Sequence, residues 1–185
     1  NLCDFNLESD FTIKESIQLN LTDSNFNMEG YNLNINSAKI TVGGGKWNYD
    51  KCTITNDEPI IKTVLEKTEM TGNDLIIKNS DKAIMSTTLF GTKLKLNIDN
   101  INIKGFAPNM NTTFFKTKKL EFGTERATLL IDCIISPKEK NTTKIISNNS
   151  ILASLDIINT IKDSIIDFIL NDKDKFYTRN KISIN

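Results

Sequence analysis

Residues 93–106 read KLKLNIDNINIKGF. Through Ile98 the apolar side chains hold even positions: Leu94, Leu96 and Ile98. After Asp99-Asn100 they hold odd ones, Ile101 and Ile103. Alternation of this kind marks a half-buried strand, because successive Cβ atoms point to opposite faces. The change of parity has two readings. A two-residue hairpin loop at Asp99-Asn100 sets Ile98 opposite Ile101 and Leu96 opposite Ile103, all on one side. A bulge within one continuous strand shifts the facing in the same way. The hairpin is preferred, since Asp and Asn tolerate the left-handed backbone that a tight loop needs.

The same period runs through the first 136 residues. Phe11, Ile13, Ile17, Leu19 and Leu21 alternate with polar neighbours, as do Tyr31, Leu33 and Ile35, then Trp47 and Tyr49, then Cys52 and Ile54. Turn-forming clusters separate the runs: Asp23-Ser24, Glu29-Gly30, Gly43-Gly44-Gly45, Asp50-Lys51 and Thr71-Gly72-Asn73-Asp74. The pattern predicts about ten to thirteen strands before Pro137. Parallel neighbours need a long crossover, usually a helix, and no such segment lies among these runs, so the expected sheet is an antiparallel meander. A parallel β-helix is disfavoured, because the chain has 8 Gly and no regular repeat period.

From Ile151 the period changes. Ile151, Leu155, Ile158, Ile161, Ile165 and Ile169 recur every three to four residues, with Ser154, Asp163 and Asp167 opposite, which predicts an amphipathic helix over 151–170. The expected class is mainly β (α+β): a curled antiparallel meander, one long C-terminal amphipathic helix and a closing strand. The chain reads as a single domain over 1–185, with the sheet in 1–136, a loop in 137–150, the helix in 151–170 and the strand in 176–184.

Composition excludes several functions. Net charge is zero, so the broad basic footprint of a nucleic-acid binder is absent. The bias toward 27 Ile, 24 Asn and 21 Lys against 2 Arg fits an AT-rich coding sequence more simply than a partner. With no His there is no Ser-His-Asp triad, no Cys-His pair and no His-bearing metal site. VGGGKW lacks the spacing of a phosphate loop and reads as a glycine turn. Asp172 and Asp174 lack the Gly and Glu that complete a calcium loop. Cys52 and Cys133 fall in apolar strand patterns and read as buried free thiols, with a disulfide between them as the alternative in an oxidising compartment. No cofactor or metal is called for, no catalytic constellation is present, and the chain is expected not to be an enzyme. It lacks a run of about 18 apolar residues, so it is expected not to be transmembrane. A start at Asn1 fits either a removed leader or an excised piece.

Residues 44–86, GGKWNYDKCTITNDEPIIKTVLEKTEMTGNDLIIKNSDKAIMS, repeat a rhythm of strand, aromatic-Asp-Lys turn, strand, Pro-marked turn and strand. This rhythm resembles the repeating unit of the periplasmic lipopolysaccharide-export jellyroll proteins. With the predicted helix added, the chain also resembles the tubular lipid-binding proteins and the AsmA-type bridge proteins. The resemblance implies a lipid-binding or lipid-transfer protein, periplasmic or secreted, whose curled sheet holds a lipid or other apolar ligand. Candidate groove residues are Leu94, Leu96, Ile98, Ile101 and Ile103 on the sheet, faced by Ile158, Ile161 and Ile165 on the helix. The rival expectation is a structural or adhesive β-scaffold of a surface assembly, meeting protein partners through strand edges.

Overall fold

The computed structural model describes residues 4–14, 18–36, 39–56, 63–79, 89–90, 93–104, 109–122, 128–148, 150–152, 155–158, 161–171, 175–176 and 182–184. The chain winds as a parallel β-solenoid. Its first coil holds β1 (Asp4–Asn6), β2 (Phe11–Ile13) and β3 (Gln18–Thr22). The next four are β4 (Asn25–Asn36) with β5 (Lys39–Gly43), β6 (Lys46–Asn56) with β7 (Thr63–Glu66), β8 (Glu69–Asn79) with β9 (Leu89–Phe90), and β10 (Lys95–Lys104) with β11 (Asn109–Asn111). The sixth holds β12 (Phe114–Thr117), β13 (Lys119–Phe122) and β14 (Thr128–Ile131). The seventh holds β15 (Cys133–Pro137), β16 (Thr142–Ser147) and β17 (Ser150–Leu152). The eighth holds β18 (Leu155–Ile157), β19 (Ile165–Ile169) and β20 (Lys175–Phe176), and β21 (Ile182–Ile184) opens a ninth. The last strand of each of the first eight coils joins an 8-stranded sheet, and all the others form a 13-stranded sheet. Every ladder among the described residues is parallel.

The parity switch at Asp99-Asn100 is a corner of this solenoid. β10 runs unbroken through it, and its register with β8 is the same before and after, Ile98 with Gly72 and Asn100 with Asp74. The preferred hairpin is therefore corrected to one continuous strand, and that strand carries no residue extra to its neighbour. Both strands turn together, each with two outward residues in a row. The same switch recurs between buried Tyr49 and Cys52 in β6, and between Thr117 and Leu120 where β12 gives way to β13. In β4 the corner is wider, with Gly30 at φ 82 and a register shift between Met28 and Asn32. Inward side chains on either side of the corner stack coil upon coil. One column runs Phe26, Trp47, Met70, Leu96, Phe115, Ile135 and Ile157, each 3% exposed or less. Another runs Ile13, Ile35, Ile54, Ile77, Ile103 and Phe122. Branched and aromatic side chains suit both columns because they pack on a pleated surface, and each buried one contributes about 1.5–3 kcal/mol.

A second corner leads from the 8-stranded sheet into the next coil. Its first residue is left-handed in successive coils: Asp23 (φ 50), Gly44 (φ 107), Lys67 (φ 51), Lys93 (φ 68), Thr112 (φ 49) and Asp132 (φ 51). The residue after it points inward, as buried Ser24, Thr68, Leu94, Thr113 and Cys133 do. The carbonyls of Gly45, Thr68, Leu94 and Thr113 accept from the amides of Glu69, Lys95, Phe114 and Ile134, at 2.9–3.0 Å, so the ladder continues across the corner. At Gly45 (φ 94) no other residue fits, because a Cβ would lie 1.8 Å from the Ser24 carbonyl oxygen. The glycine turn expected in VGGGKW is this corner.

Five other expectations are corrected. The sheet is parallel, because each crossover is a strand of the opposite sheet with its turns; no helix is needed. The fold is accordingly a solenoid and not a jellyroll. No helix occurs over 151–170: β17, β18 and β19 occupy that span among the described residues. The three-to-four spacing of its Ile residues comes from short strands broken by corners, and Ile is a middling helix former that favours strands. The 137–150 loop contains β16, and the single closing strand over 176–184 is two pieces, β20 and β21, in different sheets. Cys52 and Cys133 are buried free thiols, as their apolar strand patterns predict. The Asp172 and Asp174 turn lies outside the described residues.

A coil is a unit of register, so its removal is a sharp test. Lys46 pairs with Glu69; deleting residues 46–68 therefore joins two matching points and should leave a folded, shorter solenoid with cooperative unfolding and strand-type circular dichroism. Deleting residues 46–56 alone should abolish folding. The left-handed corner gives a second test. Lys67→Gly should stabilise by up to about 1 kcal/mol, as strain of about 1–2 kcal/mol is relieved and partly offset by chain entropy. Lys67→Val should destabilise, because a β-branched residue resists positive φ. Urea denaturation reads both.

Candidate functional surfaces

The five groove candidates on the sheet are together, in the inward columns: Leu94, Leu96, Ile98 and Ile103 are 0% exposed and Ile101 1%. The three expected to face them are elsewhere. Ile158 and Ile161 are half-buried beside β18 and β19, and Ile165 points outward at 62% exposure. In β19 the inward residues are Ile166 and Phe168, which pack partly against the core. With no helix among the described residues of 151–170, these three do not form a face set against the five.

Polar chemistry lies on the outside. One outward column before the mid-coil corner runs Asp4, Asn25, Lys46, Glu69 and Lys95. The Asn25 amide donates to Asp4 at 2.7 Å, and the Lys46 backbone N–H donates to the Asn25 side-chain oxygen at 2.9 Å. Lys95 pairs with Glu69 at 2.6 Å. That hydrogen bond and the Lys95 charge hold the Glu69 carboxyl below its usual range. At the corner the columns continue with Asn73 donating to Asp50, and Asn100 to Asp74 at 3.0 Å. Asp10 accepts from both the backbone and the side-chain amide of Asn32, which lowers its pKa.

The densest network centres on Asp99. Lys138 reaches one carboxylate oxygen at 2.6 Å and Lys118 the other at 2.9 Å. Lys118 also meets Glu139 at 3.1 Å, and Glu139 accepts from Asn141 at 3.1 Å. The Asp99 carbonyl accepts from the Lys118 amide and the Thr117 hydroxyl, both at 3.0 Å. Partial burial raises the Asp99 pKa, but the hydrogen bonds and charges of Lys138 and Lys118 outweigh it and hold the carboxyl below the usual range. Because Lys138 also donates to the Asn97 carbonyl at 3.3 Å, this network ties the 137–141 turn back onto β10, two coils earlier. The sequence places Asp99 in a hairpin loop or a bulge and gives it no partner; the lysines that meet it lie 19 and 39 residues along, in KTKK and SPKEK, and only the coil register brings them together.

Two shallow troughs lie on the outer faces flanking the corner. The first, about 280 Å³, has Glu69, Thr71, Lys95, Asn97, Phe114 and Lys116 around it. The second, about 220 Å³, has Asp74, Ile76, Asn100, Asn102, Lys119 and Glu121. Among the described residues no group of three or more Cys, Asp or Glu side chains could hold a metal, and no helix is long and apolar enough to cross a membrane. No protein-family model, curated protein or solved structure matches the chain.

The Asp99 network has a pH signature. Since its pKa is depressed in the folded chain, the unfolded chain protonates first as pH falls. Its contribution is complete above about pH 4 and is lost as pH drops through the folded value. Asp99→Asn should lower stability by about 1–2 kcal/mol near neutral pH. That difference should shrink as the pH is lowered toward about 2, in chemical denaturation at successive pH values. A difference that stays constant throughout would mean that the carboxylate charge contributes nothing.

Proposed function

We propose that the chain is a non-enzymatic structural or adhesive scaffold of the cell envelope or of secreted material, acting through protein–protein contacts. The observation that carries this reading is the outer surface. Polar side chains recur in register, coil after coil, and bond to one another along the columns, which gives a rigid array of stated spacing, about 4.8 Å per coil. An array of fixed side chains offers partners a surface that need not be ordered on binding, so the association loses less side-chain entropy. The lipid-handling alternative has less support. Its five sheet residues form inward ladders, and its three facing residues are not set opposite them.

Two measurements test the scaffold reading. Native mass spectrometry of the purified chain should give the bare protein mass, and a fluorescent phospholipid should not be taken up. Beads carrying the chain should support attachment to cells or to beads carrying surface protein, and beads carrying the unfolded chain should not. A co-purified lipid mass, or saturable phospholipid uptake, would overturn the reading in favour of lipid transfer.

A further inference from the structure

Phe114 breaks the outward column that it belongs to. Asp4, Asn25, Lys46, Glu69 and Lys95 precede it, all polar; an aromatic ring then stands half-buried at the next coil, followed by half-buried Ile134 and then by Asp156. Its chain neighbour Phe115 takes the inward position and is fully buried, so the core does not require a second ring here. Around Phe114 the trough presents a grid of two columns over three coils: Glu69, Lys95 and Phe114 in one, and Thr71, Asn97 and Lys116 in the other. Two coil steps make it about 10 Å long, the length of roughly two sugar rings.

We propose that this trough binds a saccharide chain bearing carboxylates. A ring face offers apolar surface to the C–H face of a pyranose, while Thr71, Asn97 and Lys95 stand at the spacing of the coils to meet hydroxyl groups. The acidic preference comes from charge. Glu69 is already neutralised by Lys95, at 2.6 Å, with Lys46 a further cation in the same column. Lys116 has no acidic partner among the described residues and stands exposed on the trough wall. The trough therefore carries one uncompensated positive charge beside an aromatic platform, which fits a uronate carboxylate on a sugar stacked against Phe114. This inference does not rest on the scaffold reading.

The test uses the full chain with alginate and hyaluronan hexasaccharides as acidic probes and cellohexaose as the neutral one, followed by isothermal titration and amide chemical shifts. At least one acidic probe should bind, with shifts at residues 69–71, 95–97 and 114–116, and more weakly as salt is raised. Phe114→Ala and Lys116→Gln should each weaken binding about tenfold or more, while Phe114→Tyr retains it and Lys144→Gln, on the other outer face, leaves it unchanged. Circular dichroism and thermal unfolding establish that each variant folds. Should Phe114→Ala prove unfolded, Phe114→Tyr and Lys116→Gln still decide the matter. The proposal is overturned if none of the probes binds at millimolar concentration, if cellohexaose binds as well as the acidic probes, or if binding survives in both Phe114→Ala and Lys116→Gln. A chain that carries lipid yet binds the acidic probe at this trough would remove the scaffold reading and leave this one standing.

Discussion

In a parallel solenoid every backbone amide and carbonyl of one coil must meet those of the next, because a buried polar backbone group without a partner is costly. That requirement sets the register. Once the register holds, each side chain has a neighbour above and a neighbour below of the same facing, and the inward columns of Ile, Leu and aromatic residues follow. The corners must obey it as well. Asp23, Gly44, Lys67, Lys93, Thr112 and Asp132 all take positive φ, although only one of them is glycine. A left-handed L-residue is strained by about 1–2 kcal/mol. The strain is tolerated because a different angle in any one coil would take its next strand out of the ladder.

This explains what the sequence concealed. The strands before Pro137 and the parity switch were legible, since period 2 depends only on which face is wet. So were the core positions of Trp47, Tyr49, Cys52 and Ile54. The repeat was not legible, because register constrains the strands and leaves the turns free in length. Along the column from Phe26 through Trp47, Met70, Leu96, Phe115 and Ile135 to Ile157, successive partners are separated by 21, 23, 26, 19, 20 and 22 residues. No fixed period survives such variation, and a search for glycines fails when Asp, Lys and Thr occupy the left-handed corners. Over 151–170, three short strands and a turn carrying Asp163 at φ 62 set Ile residues three or four apart. Spacing alone does not distinguish that from a helix, whereas the β-branched composition of the segment does.

The outer columns bring like and unlike side chains within one coil step, so their order has electrostatic consequences. Lys46, Glu69 and Lys95 alternate in sign. Asp99 takes two lysines, and Lys118 in turn takes Glu139. Exposed pairs such as Lys95 with Glu69 each contribute little. Their larger effect is on register: sliding one coil by two residues would keep its apolar face inward but would place Lys95 beside Thr71 and remove the Glu69 contact. The polar columns thus select among registers that the core alone would accept.

The two kinds of column differ in how freely they can change. An inward residue is packed by the coils above and below and by the interior, so a substitution there disturbs several contacts in a dense core. An outward residue meets only its column neighbours and solvent. Chemistry that distinguishes this chain from another solenoid is therefore expected on the outer grid, and there a residue type that departs from its column carries more information than one that continues it. Asn25, Lys46, Glu69 and Lys95 are accounted for by the neighbours they bond or pair with. Phe114, the next member, has Lys95 on one side and half-buried Ile134, its one apolar column neighbour, on the other. A half-buried ring beside Lys116 interrupts the run of polar side chains in its column, and at such an interruption a requirement imposed from outside the fold is read.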